Sequence, residues 1–132
     1  WGNATVLHLT GPNSADFSNY VPKVLNWGVN FARGKFSARM NWNQRGRTRL
    51  TLQAVSASVP ESTYLYLVPR TTVSADFEYR FAKRFSVSGT VTNLTDTPII
   101  YERYGPKTPN FAKTYRLFVP GAEFTFGIKG TF

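Results

Sequence analysis

Bulky apolar residues recur at every second position over long stretches of this chain, and that period admits strands and little else. Over 25–31, Leu25, Trp27, Val29 and Phe31 fall on one side and Asn26, Gly28 and Asn30 on the other. Successive side chains of a strand point to opposite faces, so the run has one greasy and one polar face. Phe36, Ala38, Met40 and Trp42 repeat the scheme against Ser37, Arg39, Asn41 and Asn43. The short Gly-containing turn Arg33-Gly34-Lys35 between these runs predicts a β-hairpin. A second hairpin is predicted from Val73, Ala75, Phe77, Tyr79 and Phe81, the turn 82–84, and Phe85, Val87, Gly89 and Val91. Its polar positions are Ser74, Asp76, Glu78 and Arg80, then Ser86, Ser88, Thr90 and Thr92. Helical periodicity is hard to find anywhere.

The final segment, 124–132, alternates as well, with Phe124, Phe126, Ile128 and Phe132 set against Thr125, Gly127 and Lys129. A soluble edge strand of this kind would be an aggregation hazard. In a transmembrane β-barrel lipid covers the greasy face and neighbouring strands pair both edges. The ending resembles the C-terminal assembly signal of bacterial outer-membrane proteins, with Thr125, Gly127 and a terminal Phe132, and with Gly130 where that pattern carries an apolar residue.

Composition is consistent with a barrel wall. Aromatics make up 16% of the 132 residues, which favours strands and suits interfacial aromatic girdles. No apolar run approaches the roughly 18 residues of a membrane-spanning helix. With no cysteine there is neither a disulfide frame nor a thiolate metal site. The formal net charge of +9 first suggests nucleic acid. The basic residues, however, are scattered through turns and polar strand faces rather than gathered in a stripe, and nucleic-acid binding is not expected.

The connections alternate in length. Between the short turns lie long ones over about 11–21, 46–70 and 94–113, with 50–55 and 64–68 able to prolong the flanking strands above a membrane. Bacterial barrels show this asymmetry, with short periplasmic turns and long extracellular loops. An opening strand near 4–10 brings the count to about six. The last strand changes phase at Pro120-Gly121, because Tyr115, Leu117 and Val119 are odd-numbered while Phe124, Phe126 and Ile128 are even; a β-bulge would reconcile them. The expected fold is therefore all-β, an antiparallel up-and-down meander forming a curved segment of a larger transmembrane barrel. The smallest such barrels have about eight strands, so six do not close one. The chain opens on Trp1 with no signal peptide, and residues 1–132 are read as one C-terminal barrel segment, a fragment whose earlier strands lie elsewhere.

Several residues together resemble the C-terminal end of a TonB-dependent outer-membrane receptor. They are Pro22 with the hairpin that follows to Asn43, Pro69-Arg70 leading into the strand from Val73 to Phe81, and Asn93-Leu94-Thr95-Asp96 after a strand, before a long loop and the closing strand. The resemblance spans nearly all of the chain and is strongest over 69–132. It implies a 22-stranded barrel with a plugged lumen. It also implies uptake of a scarce nutrient such as a siderophore, cobalamin or carbohydrate, driven through TonB by way of an N-terminal part outside this chain. Outer-membrane lipid, lipopolysaccharide and the barrel assembly machinery, the last through the C-terminal strand, are the further partners implied. Rival readings are another bacterial barrel, a porin or adhesin, and a soluble small β-barrel with its greasy face turned inward on an apolar ligand.

Nothing points to an enzyme, and no catalytic, cofactor-binding or metal-binding residue is assigned. His8 is the only histidine and lacks companion ligands. Asp76 and Glu78 share a strand face about 7 Å apart. With Arg80 beside them they fit a lumenal charge network better than a catalytic pair. Asn93-Leu94-Thr95 matches a glycosylation acceptor, but a turn-forming role for Asn93 and Asp96 accounts for it. Arg45, Arg47 and Arg49 suit either contact with lipopolysaccharide phosphates or a solvated loop. Tyr101, Tyr104 and Phe111 suit either ligand contact or girdle and loop packing.

Overall fold

A computed structural model of the chain describes residues 1–6 and 18–130. Its strands are β1 (Gly2–Val6), β2 (Lys23–Arg33), β3 (Phe36–Arg45), β4 (Thr48–Leu52), β5 (Tyr64–Leu67), β6 (Arg70–Arg80), β7 (Phe85–Thr92), β8 (Ile99–Tyr104), β9 (Thr114–Phe118) and β10 (Glu123–Gly130). Six of them form an antiparallel sheet in the order β1-β2-β3-β6-β7-β10, and the other four form a second antiparallel sheet in the order β4-β5-β8-β9. The protein is all-β, and the expected meander is present in sequential order.

The six expected strands are those of the larger sheet, and the four short ones prolong them. β4 follows β3 after residues 46–47, and β5 runs into β6 across 68–69. β8 follows β7 after 93–98, and β9 reaches β10 across 119–122. Local chemistry explains the interruptions at 68–69, 93–98 and 119–122. Pro69 and Pro120 have no N–H for a ladder. Gly121 (φ 80°), Asn93 (φ 52°) and Asp96 (φ 48°) occupy the left-handed region, which Gly enters freely and Asn and Asp tolerate. The phase change at Pro120-Gly121 is thus a complete break between strands rather than a bulge within one. The span 94–113, read as a connection, contains β8. Its Ile99-Ile100-Tyr101 core has strong strand propensity that the surrounding Pro, Gly and Thr obscure. β1 begins two residues before the expected 4, and the rest of that prediction, 7–10, lies outside the described residues.

Both predicted turns are in place. Arg33 pairs with Phe36, leaving Gly34-Lys35 as a two-residue loop. Gly34 has φ 59°, as the first loop position of a type II′ turn requires. At the other turn Arg80 pairs with Ser86, and the Ala82 N–H donates to the Phe85 carbonyl at 3.3 Å.

Register carries the alternation across the whole six-stranded sheet. Trp27 lies opposite Trp42, and Trp42 opposite Val73. Phe77 stands opposite Ala38 and Gly89, and Gly89 opposite Phe126. One face is consequently apolar from β2 to β10. On the other, Asn30 opposes Arg39, Arg39 opposes Asp76, Asp76 opposes Thr90, and Thr90 opposes Thr125. Among the described residues Val73, at 6% exposure, is the sole buried apolar side chain. The usual soluble pattern is inverted on β2, where Trp27 and Val29 are exposed while Asn26 is half-buried and Gly28 buried.

Candidate functional site

The apolar face is the first functional element. Val29 is 56% exposed, Phe126 67% and Ile128 77%, and Leu25, Phe31, Phe36, Phe85 and Phe124 are exposed with them. The aromatic contacts on this face run from strand to strand. The Trp27 and Trp42 rings stack in parallel with centroids 3.9 Å apart, and Phe77 lies 6.4 Å from Phe126. Gly89 lets the Phe77 ring lie across β7, because a Cβ there would stand 2.3 Å from Phe77 Cε1. This is the aromatic cover of a strand glycine that lowers the penalty of a missing side chain.

The polar face holds a hollow of about 530 Å³ lined by residues that include Asn30, Arg39, Asp76, Glu78, Thr90 and Lys129. Arg39 Nε donates to Asn30 Oδ1 at 3.0 Å, and Thr90 Oγ1 donates to Asp76 Oδ1 at 3.1 Å. Asn43 Nδ2 donates to Asn26 Oδ1 across β2 and β3. The charges expected to form a network share this face but are not joined to one another. Asp76, Glu78 and Arg80 oppose Thr90, Ser88 and Ser86 on β7, so hydroxyls rather than countercharges face them there.

At the line where the long strands break, Asn93 ties three segments together. Its Nδ2 donates to the Gly121 carbonyl at 2.9 Å, and its Oδ1 accepts from the Thr97 N–H at 3.0 Å. The Leu94 N–H donates to the Val73 carbonyl at 2.8 Å, and Thr97 Oγ1 to the Thr71 carbonyl at 2.7 Å. The Asn93-Leu94-Thr95-Asp96 segment is therefore a turn that pins β6, β7 and the break before β10. The Asn93 side chain is engaged in that turn.

Beyond the break, the four-stranded sheet gathers cations over tyrosines. The Arg47 guanidinium lies 4.3 Å from the centroid of Tyr66 and 5.2 Å from that of Tyr104. Arg49 lies 4.7 Å from Tyr64, and Lys113 Nζ 4.9 Å from Tyr104. Tyr66 and Tyr104 meet edge to face at 6.2 Å. Arg47 also pairs with Glu102 at 3.1 Å.

Arg45, Arg47 and Arg49 thus do not share one solvated loop. Arg45 ends β3 opposite Arg70, Arg47 sits in the break, and Arg49 belongs to β4. Tyr104 packs within the cationic cluster, Tyr101 lies in β8 between Leu67 and Arg116, and Phe111 stands 91% exposed on the 3-10 turn Asn110–Ala112. The cluster escaped sequence reading because its pairs are remote, Arg47 and Glu102 being 55 residues apart. His8 and Phe132 lie outside the described residues. Among those described, no group of His, Cys, Asp and Glu is placed to hold a metal ion, and no helix is long and apolar enough to cross a membrane. No family model, curated protein or solved structure matches the chain.

Proposed function

We propose that this chain forms the closing strands of a transmembrane β-barrel in a bacterial outer membrane, with its apolar face against lipid and its polar face toward the lumen. The observation that carries the reading is the uncovered apolar face of the six-stranded sheet, continuous from β2 to β10 and backed by an equally continuous polar face. Apolar surface on that scale is rare on a soluble monomer and is what a spanning barrel presents to lipid. A soluble barrel enclosing an apolar ligand is disfavoured, because the hollow lies on the polar side.

Within that class we read the protein as a TonB-dependent receptor for a scarce nutrient, on the resemblance of its Pro69-Arg70, Asn93-Leu94-Thr95-Asp96 and closing-strand pattern. The turns Gly34-Lys35 and 82–84 then face the periplasm, and the four-stranded sheet stands on the extracellular side. These 132 residues contain no cysteine that would compete for label. Single cysteines placed in turn at 124–129 are labelled with an environment-sensitive dye in the protein refolded into vesicles. Lipid-borne quenchers should reach 124, 126 and 128, and aqueous quenchers 125, 127 and 129. Uniform quenching along the strand would sink the barrel reading.

A further inference from the structure

We infer that the cation–tyrosine cluster of the four-stranded sheet is a binding platform for a soluble, multiply charged anion whose negative charge sits on carboxylate or phosphate oxygens. The inference rests on the barrel reading above and adds a ligand class to it. Arg47, Arg49 and Lys113 bring three cations over Tyr64, Tyr66 and Tyr104, while Glu102 pairs with Arg47. The ring faces hold the cationic groups in place before any ligand arrives, which reduces the ordering that binding would otherwise require. Guanidinium forks match carboxylate and phosphate geometry, and phenol hydroxyls donate to the same oxygens.

Register assigns the platform to one side of the wall. Arg45 opposes Arg70 and Thr48 opposes Leu67, so two residues on each strand separate these pairs. With no extra residue on either side, alternation passes through the break. Lys23 accepts from the Gly46 N–H at 2.8 Å, as continuation of the β2–β3 ladder requires. Arg47 and Arg49 then follow Arg45 onto the polar side, and Tyr66 follows Arg70. Tyr66 opposes Glu102 and Tyr64 opposes Tyr104, which completes the same face. The ligand is accordingly a solute approaching the lumen from outside and not a lipid headgroup on the outer wall.

The test uses the complete protein refolded into phosphatidylcholine vesicles, with citrate and pyrophosphate as anionic probes and glucose as a neutral one. Binding is followed by titration calorimetry at two salt concentrations. Citrate or pyrophosphate should bind, with affinity falling as salt rises, and glucose should not. The pair Arg47→Gln and Lys113→Gln should weaken anion binding at least tenfold. Arg33→Gln, at the far turn, should leave it unchanged. Equal binding by the double variant would overturn the platform, as would binding that appears only in vesicles containing phosphatidylglycerol. Resistance of the inserted protein to added protease distinguishes the two readings: protected protein that ignores both anions defeats this inference alone, whereas protein that never inserts defeats the barrel reading.

Discussion

Replacing Asn93 separates a side-chain contribution from a backbone one. Asn93→Ala removes the bonds to the Gly121 carbonyl and from the Thr97 N–H, each worth about 0.5–1.5 kcal/mol. It also leaves a Cβ-bearing residue without local polar compensation at φ 52°, which adds about 1–2 kcal/mol. Together these give a loss of about 2–5 kcal/mol. Asn93→Gly forfeits the same bonds but sits in the left-handed region without strain, so its loss should be smaller by about 1 kcal/mol. Asn93→Asp keeps the acceptor for Thr97 and sets a carboxylate against the Gly121 oxygen. That repulsion favours the protonated acid in the folded state, so the deficit should shrink as pH falls to about 4 and grow above it. Urea midpoints of the protein in vesicles, read by tryptophan emission, provide the ranking. If glycine costs as much as alanine, the positive φ contributes nothing and the reasoning fails.

Other substitutions probe the remaining parts of the wall. Phe77→Arg, on the apolar face near mid-strand, should cost about 2–4 kcal/mol of insertion stability, and a neutral result in refolding titrations would argue against lipid contact. Gly34→Val meets no atom within 4 Å but must adopt φ 59°, so about 1–2 kcal/mol should be lost from backbone strain alone, with Gly34→Asn recovering much of it in the same urea assay. Gly89→Ala drives a methyl into the Phe77 ring and should cost about 1–3 kcal/mol; adding Phe77→Ala should relieve most of that cost, leaving only the tighter contact with Phe126, and a strictly additive double mutant would exclude the ring contact.

Much of the fold is legible in the sequence because its signals are local. Leu25 to Phe31, Phe36 to Trp42, Val73 to Phe81 and Phe85 to Val91 each alternate without interruption, and Gly34 marks the tight loop between the first two of these runs. Pro120-Gly121 betrays a change of phase because two parities cannot share one regular strand. The short strand Ile99–Tyr104 was hidden because its flanks have loop composition. The cation–tyrosine cluster was hidden for a different reason. Arg47 is brought to Tyr66 and Tyr104 only when β4, β5 and β8 lie side by side, and no periodicity encodes that long-range pairing. The charges at 76, 78 and 80 share one face, as their spacing of two dictates. Their bonding was not legible, because it depends on which residues of β7 stand opposite.

The longer interruptions at 93–98 and 119–122 act as an insulating joint. In an unbroken strand, one inserted residue turns every later side chain to the opposite face. Here an insertion within 93–98 or 119–122 can be absorbed by irregular backbone before it reaches β7 or β10. The four-stranded sheet can therefore vary in length and chemistry while the phase of Phe124, Phe126 and Ile128 stays fixed, so one patterned base can carry many different upper storeys.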